Sequence, residues 1–237
     1  RDGHKISEQS IHMTFGTALH EVLQHYLNKM YETSGAAADR IDIEELFEET
    51  LRRCYAEDYK RNKNKHFSSP EELREFFDDG IAILQYFKKQ KRGYFSKKGW
   101  WLVGCEIPIV ISPNIRYNNV KYMGYLDVVM YHEPSNTFKI IDIKTSTKGW
   151  NKYTKKDESK QFQLILYKYF FSKQYNIPIE NIDIEFFIVR RKVYLEGDYP
   201  QKRIQTHVPA SGKVKINKAT NNLNEFINKA FNLDGSY

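Results

Sequence analysis

An acid and a lysine stand two residues apart at the end of an apolar run. The run reads Phe138-Lys139-Ile140-Ile141-Asp142-Ile143-Lys144-Thr145. Side chains alternate between the two faces of a strand, so Asp142 and Lys144 are predicted to share one face while Ile141 and Ile143 point to the other. A buried strand rarely carries such charges, and the pattern therefore indicates a chemical site at the end of this strand.

A second acid, Asp127, lies in the preceding strand-like run at residues 124–131. The turn signal at residues 133–136 separates the two runs, so neighbouring strands would bring Asp127 and Asp142 to one place. Two close carboxylates repel each other unless a cation joins them, and their oxygens suit one or two ions of Mg²⁺ or Mn²⁺.

The predicted chemistry is metal-assisted hydrolysis at phosphorus. A metal held by Asp127, Asp142 and one histidine would lower the pKa of a bound water and neutralise charge on a phosphate. The histidine with a suitable context is His20, on the first predicted helix. Lys144 would then orient or deprotonate the water, or stabilise the pentacovalent transition state.

The composition is that of a soluble globular chain. It has 237 residues, of which 41% are hydrophobic and 28% charged, and its net charge is +7. A basic balance fits a polyanionic partner without proving one. No apolar run reaches the roughly 18 residues that a membrane span needs, so we expect no membrane contact.

The two cysteines, Cys54 and Cys105, limit the kinds of metal site and the compartment. They exclude a four-cysteine zinc or iron–sulfur site within this chain. They also provide no disulfide framework, which favours a reducing compartment. With no secretory signal recognised at the start, we expect a cytoplasmic location.

The N-terminal part is predicted to be helical. Apolar residues recur at helical spacing over residues 11–30, and residues 34–38 interrupt the pattern. Asp42 is the predicted N-cap of a second helix. Ser69 caps a third, which runs to about residue 91.

The chain changes character at Trp100, where strands begin. Predicted strands cover residues 100–111, 120–131, 138–144, 182–189 and about 203–208, with turns at Pro113-Asn114 and Pro134-Ser135-Asn136. A polar loop is predicted at 146–159, followed by helices at 160–175 and 218–232. An antiparallel meander, a crossover helix and a further strand predict an α/β fold with a mixed central sheet and a helical N-terminal elaboration.

Four motifs in order resemble the PD-(D/E)xK nucleases, and most closely their RecB-like subgroup. They are Gly16-Thr17-x-x-His20, Gly124-x-x-Asp127, Ile141-Asp142-Ile143-Lys144-Thr145 and Gln163-Leu164-x-x-Tyr167. The resemblance implies a restriction-endonuclease-like sheet and a single nuclease domain over residues 1–237. Its parts would be a helical region to about 99, a catalytic region at 100–208 and a C-terminal helix at 209–237.

The resemblance also implies roles for single residues. The metal ligands would be His20, Asp127, Asp142 and the backbone carbonyl of Ile143, and Lys144 would be the catalytic lysine. Glu106 matches an acid that serves a second metal or the water network. Gln163 and Tyr167, four residues apart on one helix face, would support the lysine and touch DNA.

The chain departs from some relatives in two ways. Members with an iron–sulfur cluster bind it through four cysteines, which this chain lacks. It also has no glycine-rich phosphate loop of the helicase type. A recombination protein or helicase acting with it would be another polypeptide, and the motifs set no oligomeric state.

The predicted loop after the third strand is a candidate nucleic-acid contact. It mixes cations with two aromatic residues, namely Lys148, Trp150, Lys152, Tyr153, Lys155 and Lys156. The cations would neutralise phosphates and the rings would stack on unpaired bases. The alternative is a solvated loop whose rings pack locally. The charge runs 88–92 and 190–192 are weaker candidates.

Each site residue also has a purely structural interpretation. His20 could be a core histidine, and Glu106 could face solvent on an edge strand. Asp142 and Lys144 could form only an ion pair. Gln163 and Tyr167 could flank a core stripe formed by Phe162, Leu166 and Tyr169.

The leading functional hypothesis is a metal-dependent DNA exonuclease in recombination, repair or phage DNA processing. A site-specific or structure-specific DNA endonuclease is the alternative enzyme. A catalytically inactive nucleic-acid-binding module is the alternative from another class, and its mark would be a broken acid or lysine. Here all of those residues are intact.

Overall fold

The computed structural model describes residues 9–95, 97–113, 116, 119–194, 196, 200–232 and 235–236. The chain divides into two compact units. The first takes in the chain to Tyr94 together with Arg190–Arg203, and the second comprises Phe95–Val189 and Ile204–Tyr237. That both belong to one nuclease domain stays a prediction.

The described residues of the first unit include four α-helices. They are α1 (Ile11–Glu32), α2 (Gly35–Asp39), α3 (Ile43–Arg61) and α4 (Pro70–Tyr94). The predicted cap of α3 is confirmed, because the Asp42 carboxylate accepts hydrogen bonds of 3.1 Å from the N–H groups of Glu44 and Glu45. The predicted interruption at 34–38 instead contains the short helix α2, since Ser34 caps it by accepting the N–H of Ala37.

Aromatic rings hold the first unit together. Phe15 of α1 lies edge-to-face with Phe47 of α3 and with Phe76 of α4. Gly80 faces the ring of Phe47 so closely that a side chain at position 80 would collide with it. The absence of a Cβ at this position therefore allows α3 and α4 to pack tightly.

The second unit contains a five-stranded sheet. Its strands, in spatial order, are β1 (Trp100–Ile111), β2 (Tyr122–His132), β3 (Thr137–Ser146), β4 (Ile182–Arg190) and β5 (Ile204–His207). The β1/β2, β2/β3 and β4/β5 pairs are antiparallel. The remaining helices are α5 (Lys152–Lys156), α6 (Glu158–Tyr175) and α7 (Lys213–Ala230). The predicted mixed α/β sheet with a helical N-terminal part is confirmed.

Some predicted boundaries were wrong. The loop expected at 146–159 contains α5, because Asn151 caps it by accepting the N–H groups of Tyr153 and Thr154 at 2.9 Å. The last helix begins at Lys213 and not at residue 218. The turn at Pro134 is confirmed, with Asn136 in the left-handed conformation. The other predicted turn includes Asn114, which lies outside the described residues.

One face of the sheet packs against α6. Its core joins Ile109, Leu126, Ile140 and Ile184 of the strands to Leu164, Ile165, Phe170 and Phe171 of the helix. The stripe considered from the sequence, Phe162, Leu166 and Tyr169, is only partly buried at the margin of this core. The alternative in which Tyr167 only flanks the core stripe was therefore wrong about which face of α6 is buried, because Tyr167 is itself buried.

In the part of the chain that the structure describes, no helix is both long enough and apolar enough to span a bilayer.

Candidate functional site

The backbone pairing between β2 and β3 ends next to the two predicted acids, Asp127 and Asp142. Its pairs run from His132 and Thr137 to Val128 and Ile141. Asp127 and Asp142 are the next residues along the two strands. The Oδ2 atom of Asp127 accepts a 2.6 Å hydrogen bond from the N–H of Ile143. A side chain thus takes the place that a backbone carbonyl would fill in a continued ladder.

Asp142 and Lys144 lie on the same face of β3, as their spacing predicts. The Nζ atom of Lys144 is 2.9 Å from Oδ2 of Asp142. Asp142 is only 3% exposed, whereas about a third of the lysine side chain, 32%, reaches solvent. A buried carboxylate therefore anchors an ammonium group that a solvent-borne molecule can reach.

Helix α6 holds the other side of the lysine. Gln163 accepts a 3.2 Å hydrogen bond from Lys144 Nζ through its Oε1 atom, and its Nε2 atom donates to the hydroxyl of Tyr167 at 3.0 Å. One turn of helix separates the glutamine and the tyrosine, so both face the strands. The result is a continuous line of contacts from Tyr167 through Gln163 and Lys144 to Asp142.

Gly124 makes room for this line. A Cβ atom at position 124 would lie 2.6 Å from Cε1 of Tyr167. The tyrosine ring can lie against β2 only because this residue has no side chain. Sequence reasoning recorded the glycine as part of a motif but missed its packing role, although a glycine inside a strand pattern is a signal for close approach.

Burial sets the electrostatics of the acid pair. The pKa of Asp127 is raised to about 6, chiefly by desolvation and to a smaller extent by the nearby charge of Glu106. The N–H of Ile143 and the ammonium of Lys144 act in the opposite direction. Burial likewise raises the pKa of the Tyr167 hydroxyl. The carboxylates thus lie in a setting where an added cation would be stabilised.

The sequence model of the PD-(D/E)XK nuclease superfamily matches residues 1–232. The chain belongs to this superfamily. Nucleases of this superfamily act on nucleic acids and generally use divalent metal ions. A search of curated proteins finds no match to the chain. Membership thus suggests a nuclease, and the finer assignments rest on the residues themselves.

The oxygen donors of the nuclease fit a hard divalent ion. Two carboxylates, those of Asp127 and Asp142, stand beside the backbone of Ile143, whose carbonyl is a further oxygen. Oxygen atoms are the ligands that Mg²⁺ and Mn²⁺ prefer. Within residues that the structure describes, no group of three or more His, Cys, Asp or Glu side chains is placed to hold a metal ion.

Glu106 lies beside the acids on the neighbouring strand. It falls between the pairs Cys105–Val128 and Ile107–Leu126, which puts it opposite Asp127. Its φ of 53° is in the left-handed region, which costs of order 1 kcal/mol or more for a residue other than glycine. The side chain is exposed. A role with a second metal or the water network stays a prediction.

His20 belongs to the first unit. It lies on α1, where it is half-buried. The acids and Lys144 belong to the second unit. Its participation as a metal ligand therefore remains a prediction from the motif.

The two aromatic residues of the segment after β3 lie in different environments, one packed and one exposed. The Trp150 ring packs 4.8 Å from that of Phe186, and its backbone N–H and carbonyl both bond the Gln205 side chain. Tyr153 is 72% exposed, with Lys152 Nζ 5.1 Å from its ring centroid. Tyr153 is therefore the aromatic residue that is accessible for stacking, and Trp150 fixes the segment to the sheet.

The cations of this segment lie on both sides of Tyr153 in the sequence. Lys148, Lys152 and Lys156 are exposed, and Lys155 is half-buried. Their contact with nucleic acid stays a prediction, which the basic charge of the segment supports.

The two other charge runs carry ion pairs within the first unit. Lys91 Nζ lies 2.7 Å from a carboxylate oxygen of Asp39. Arg191 contacts Glu75 and Asp79 at 3.0 and 2.7 Å, and its guanidinium lies 4.1 Å from the centroid of the Phe76 ring. These cations have structural partners, which supports the solvated or structural interpretation of both runs.

Proposed function

We propose that the chain is a metal-dependent DNA exonuclease of the RecB-like type, working in recombination, repair or phage DNA processing. The observation that carries the proposal is the unbroken line from Tyr167 through Gln163 and Lys144 to the buried carboxylate of Asp142. An ion pair with no chemical role would not need two further polar groups to orient its lysine. The helical motif that ends at His20 supports the subgroup.

The metal site in this proposal uses Asp127, Asp142 and the carbonyl of Ile143, with His20 as a further ligand. A bound Mg²⁺ or Mn²⁺ ion would supply an activated water and would neutralise charge at the phosphorus. Glu106 serves a second ion or the water network. The raised pKa of Asp127 supports this arrangement, because a buried acid gains most from a cation.

Lys144 has a separate task in the reaction. Asp142 and Gln163 hold its ammonium group from two sides, so it can hydrogen-bond the attacking water or the phosphate oxygen that becomes more negative. The water oxygen forms a bond to phosphorus while the bond from phosphorus to the 3′ oxygen breaks. The leaving oxygen takes a proton, and the product carries a 5′-phosphate.

DNA is the proposed substrate and partner. Five residues after β3 lie on the exposed or half-exposed surface and would contact its backbone and bases, namely Lys148, Lys152, Tyr153, Lys155 and Lys156. The packing of Trp150 would position them. We also propose that the units form one nuclease domain, that a motor protein would be a separate chain, and that the protein is cytoplasmic, which its two cysteines favour.

End-labelled linear DNA tests the proposal. With Mg²⁺ or Mn²⁺ the label should be released progressively, EDTA should stop the release, and covalently closed circular DNA should stay intact. Lys144→Ala should abolish release and keep most of the DNA binding. The matched control is Lys173→Ala, which removes an exposed lysine of the same helix that holds Gln163 and should cleave normally.

Two results would redirect the assignment. Conversion of the closed circle to linear molecules would indicate an endonuclease. DNA binding without any metal-dependent loss of label, in protein that is folded by circular dichroism, would indicate an inactive binding module.

A further inference from the structure

Four apolar residues lie exposed together on β1 and β2. Val110 is 49% exposed, Met123 62% and Tyr125 54%, and Pro108 is exposed as well. Val110 pairs with Met123, and Pro108 pairs with Tyr125. The four side chains thus form two adjacent cross-strand pairs, called here the β1–β2 apolar patch. Contiguous exposed apolar side chains mark a site of interaction more often than scattered ones do.

The patch begins next to the acids. Tyr125 is two residues before Asp127 on β2, and Pro108 is two residues after Glu106 on β1. Two residues of strand span about 7 Å. A nucleic-acid chain with one phosphate at Asp127 would therefore pass Tyr125 at the neighbouring nucleotide if it followed β2.

A cation marks the far end of the patch. Lys121 directly precedes β2 and is exposed. Its Nζ atom donates a 2.7 Å hydrogen bond to the hydroxyl of Ser112, a neutral group that leaves the positive charge in place. Six residues of extended chain separate it from Asp127, a span of roughly 20 Å. A phosphate two or three nucleotides from the acids would meet this charge.

A strand of another protein could not pair with the backbone of Pro108 and Val110 at the adjoining edge of β1. Gln174 of α6 accepts the N–H of Val110 at 2.8 Å and donates to the carbonyl of Pro108 at 2.9 Å. The hydroxyl of Tyr175 donates to the same carbonyl. These backbone groups are therefore already used. Four side chains also fall well short of the about 20–30 residues that a stable protein interface uses on each side.

We propose that the β1–β2 apolar patch binds the unpaired bases of a single-stranded DNA end. The inference rests on the proposed function, because it concerns the nucleotides adjacent to the bond that the nuclease would cut. A base stacks on the Tyr125 ring, the next base lies over Met123 and Val110, and Lys121 contacts a phosphate. A blunt duplex hides its base faces and gains nothing from the patch, so the preferred substrate is single-stranded or frayed.

Binding in EDTA tests the patch without cleavage. The probes are a fluorescein-labelled single-stranded oligonucleotide and a blunt duplex of the same sequence, followed by fluorescence anisotropy. Tyr125→Ala should weaken single-strand binding about tenfold and leave duplex binding unchanged, and Met123→Ser should act in the same direction. Tyr125→Phe should bind as the unchanged protein does, because it keeps the ring.

The matched control is Phe226→Ala. Phe226 is an aromatic residue on α7 that is 60% exposed, close to the exposure of Tyr125. Its loss should leave both affinities unchanged. Equal single-strand affinities for Tyr125→Ala and Phe226→Ala, with both variants folded by circular dichroism, would overturn the proposal.

Two further measurements separate the possible failures. If the unchanged protein degrades no DNA with Mn²⁺ while Tyr125→Ala still loses single-strand binding, the proposed function fails and the patch stands. If the unchanged protein degrades DNA and Tyr125→Ala shows the same preference between single strand and duplex, the patch fails alone. A dimer seen by sedimentation that Tyr125→Ala dissolves, with unchanged DNA binding, would assign the patch to self-association and overturn it.

Discussion

The carboxylate of Asp127 accepts the backbone N–H of Ile143 at 2.6 Å, across the point where β2 and β3 stop pairing. This bond holds one acid beside the backbone of the strand that carries the other. It also satisfies an N–H group that loses its ladder partner there. The separation of the strands and the placement of the acids are therefore one structural feature.

Asp127→Asn should make the metal-free protein more stable at neutral pH. The amide oxygen still accepts the N–H of Ile143, while the buried charge is gone. Burial raises the pKa of Asp127 to about 6, against about 3.9 when unfolded. At a pH between these two pKa values, the Asp127 carboxyl keeps its proton only in the folded state. The unfolding free energy of the unchanged protein therefore falls as pH rises through this range and is level above pH 6.

Urea unfolding in EDTA measures this difference. At about pH 4 the two proteins should differ little on account of this charge. At about pH 7 the asparagine variant should have gained about 2 kcal/mol relative to the unchanged protein. Parallel stability profiles over this range would show that Asp127 does not titrate as described.

Gln163→Ala should slow cleavage without unfolding the protein. Gln163 is exposed, so its loss leaves the core intact, but Lys144 loses the acceptor on one side. We expect kcat to fall about fivefold with little change in KM, since one orienting hydrogen bond is worth about 1 kcal/mol.

Gln174→Ala is the control on the same helix. Its side chain bonds the backbone of β1, so its removal should lower stability and leave kcat nearly unchanged. A Gln163→Ala protein with the kcat of the unchanged protein would remove the glutamine from the account of how Lys144 is positioned.

The sequence was most informative where spacing alone decides geometry. The alternation of residues 141–144 predicted the shared face of Asp142 and Lys144, and the 2.9 Å contact confirms it. The four-residue spacing of Gln163 and Tyr167 likewise predicted their common helix face. Sequence reasoning could not find the bond from Asp127 to Ile143, because it depends on two strands separating in three dimensions.

Gly124→Ala should destabilise the second unit. Its Cβ atom would lie 2.6 Å from Cε1 of Tyr167, and the ring is 7% exposed and has little room to move. Overpacking of this kind costs about 1–3 kcal/mol. Tyr167→Leu shortens the opposing side chain, so the double variant should lose less stability than the two single losses together.

Urea unfolding of the four proteins in this cycle measures the coupling. Additive losses, within about 0.5 kcal/mol, would mean that the glycine is not needed for the approach of the tyrosine.

Arg191→Ala should destabilise the first unit and leave DNA affinity unchanged. Its side chain is 12% exposed and pairs with Glu75 and Asp79, so removing it leaves the half-buried carboxylate of Asp79 without this cation. We expect a loss of about 2–4 kcal/mol in thermal or urea unfolding. Lys192→Ala, at a side chain 45% exposed, should cost less than about 1 kcal/mol.

Weakened DNA binding in Arg191→Ala, with stability intact, would assign the 190–192 run to the DNA surface.

The sequence alone could not separate a structural role of this run from a DNA-binding role, because a run of cations shows no partners. Its acids lie more than a hundred residues earlier, on α4. The same limit applied to Trp150, whose packing against Phe186 depends on a strand formed later in the chain.

Binding of Mn²⁺ to the purified, EDTA-treated protein tests the central claim most directly. In a calorimetric titration at about pH 7, the unchanged protein and Lys173→Ala should bind Mn²⁺ alike. Asp142→Asn should lose this binding or weaken it by roughly a hundredfold, because a buried oxygen ligand loses its charge. The same Mn²⁺ affinity and stoichiometry in Asp142→Asn, or no binding to the unchanged protein, would contradict a metal site at Asp127 and Asp142.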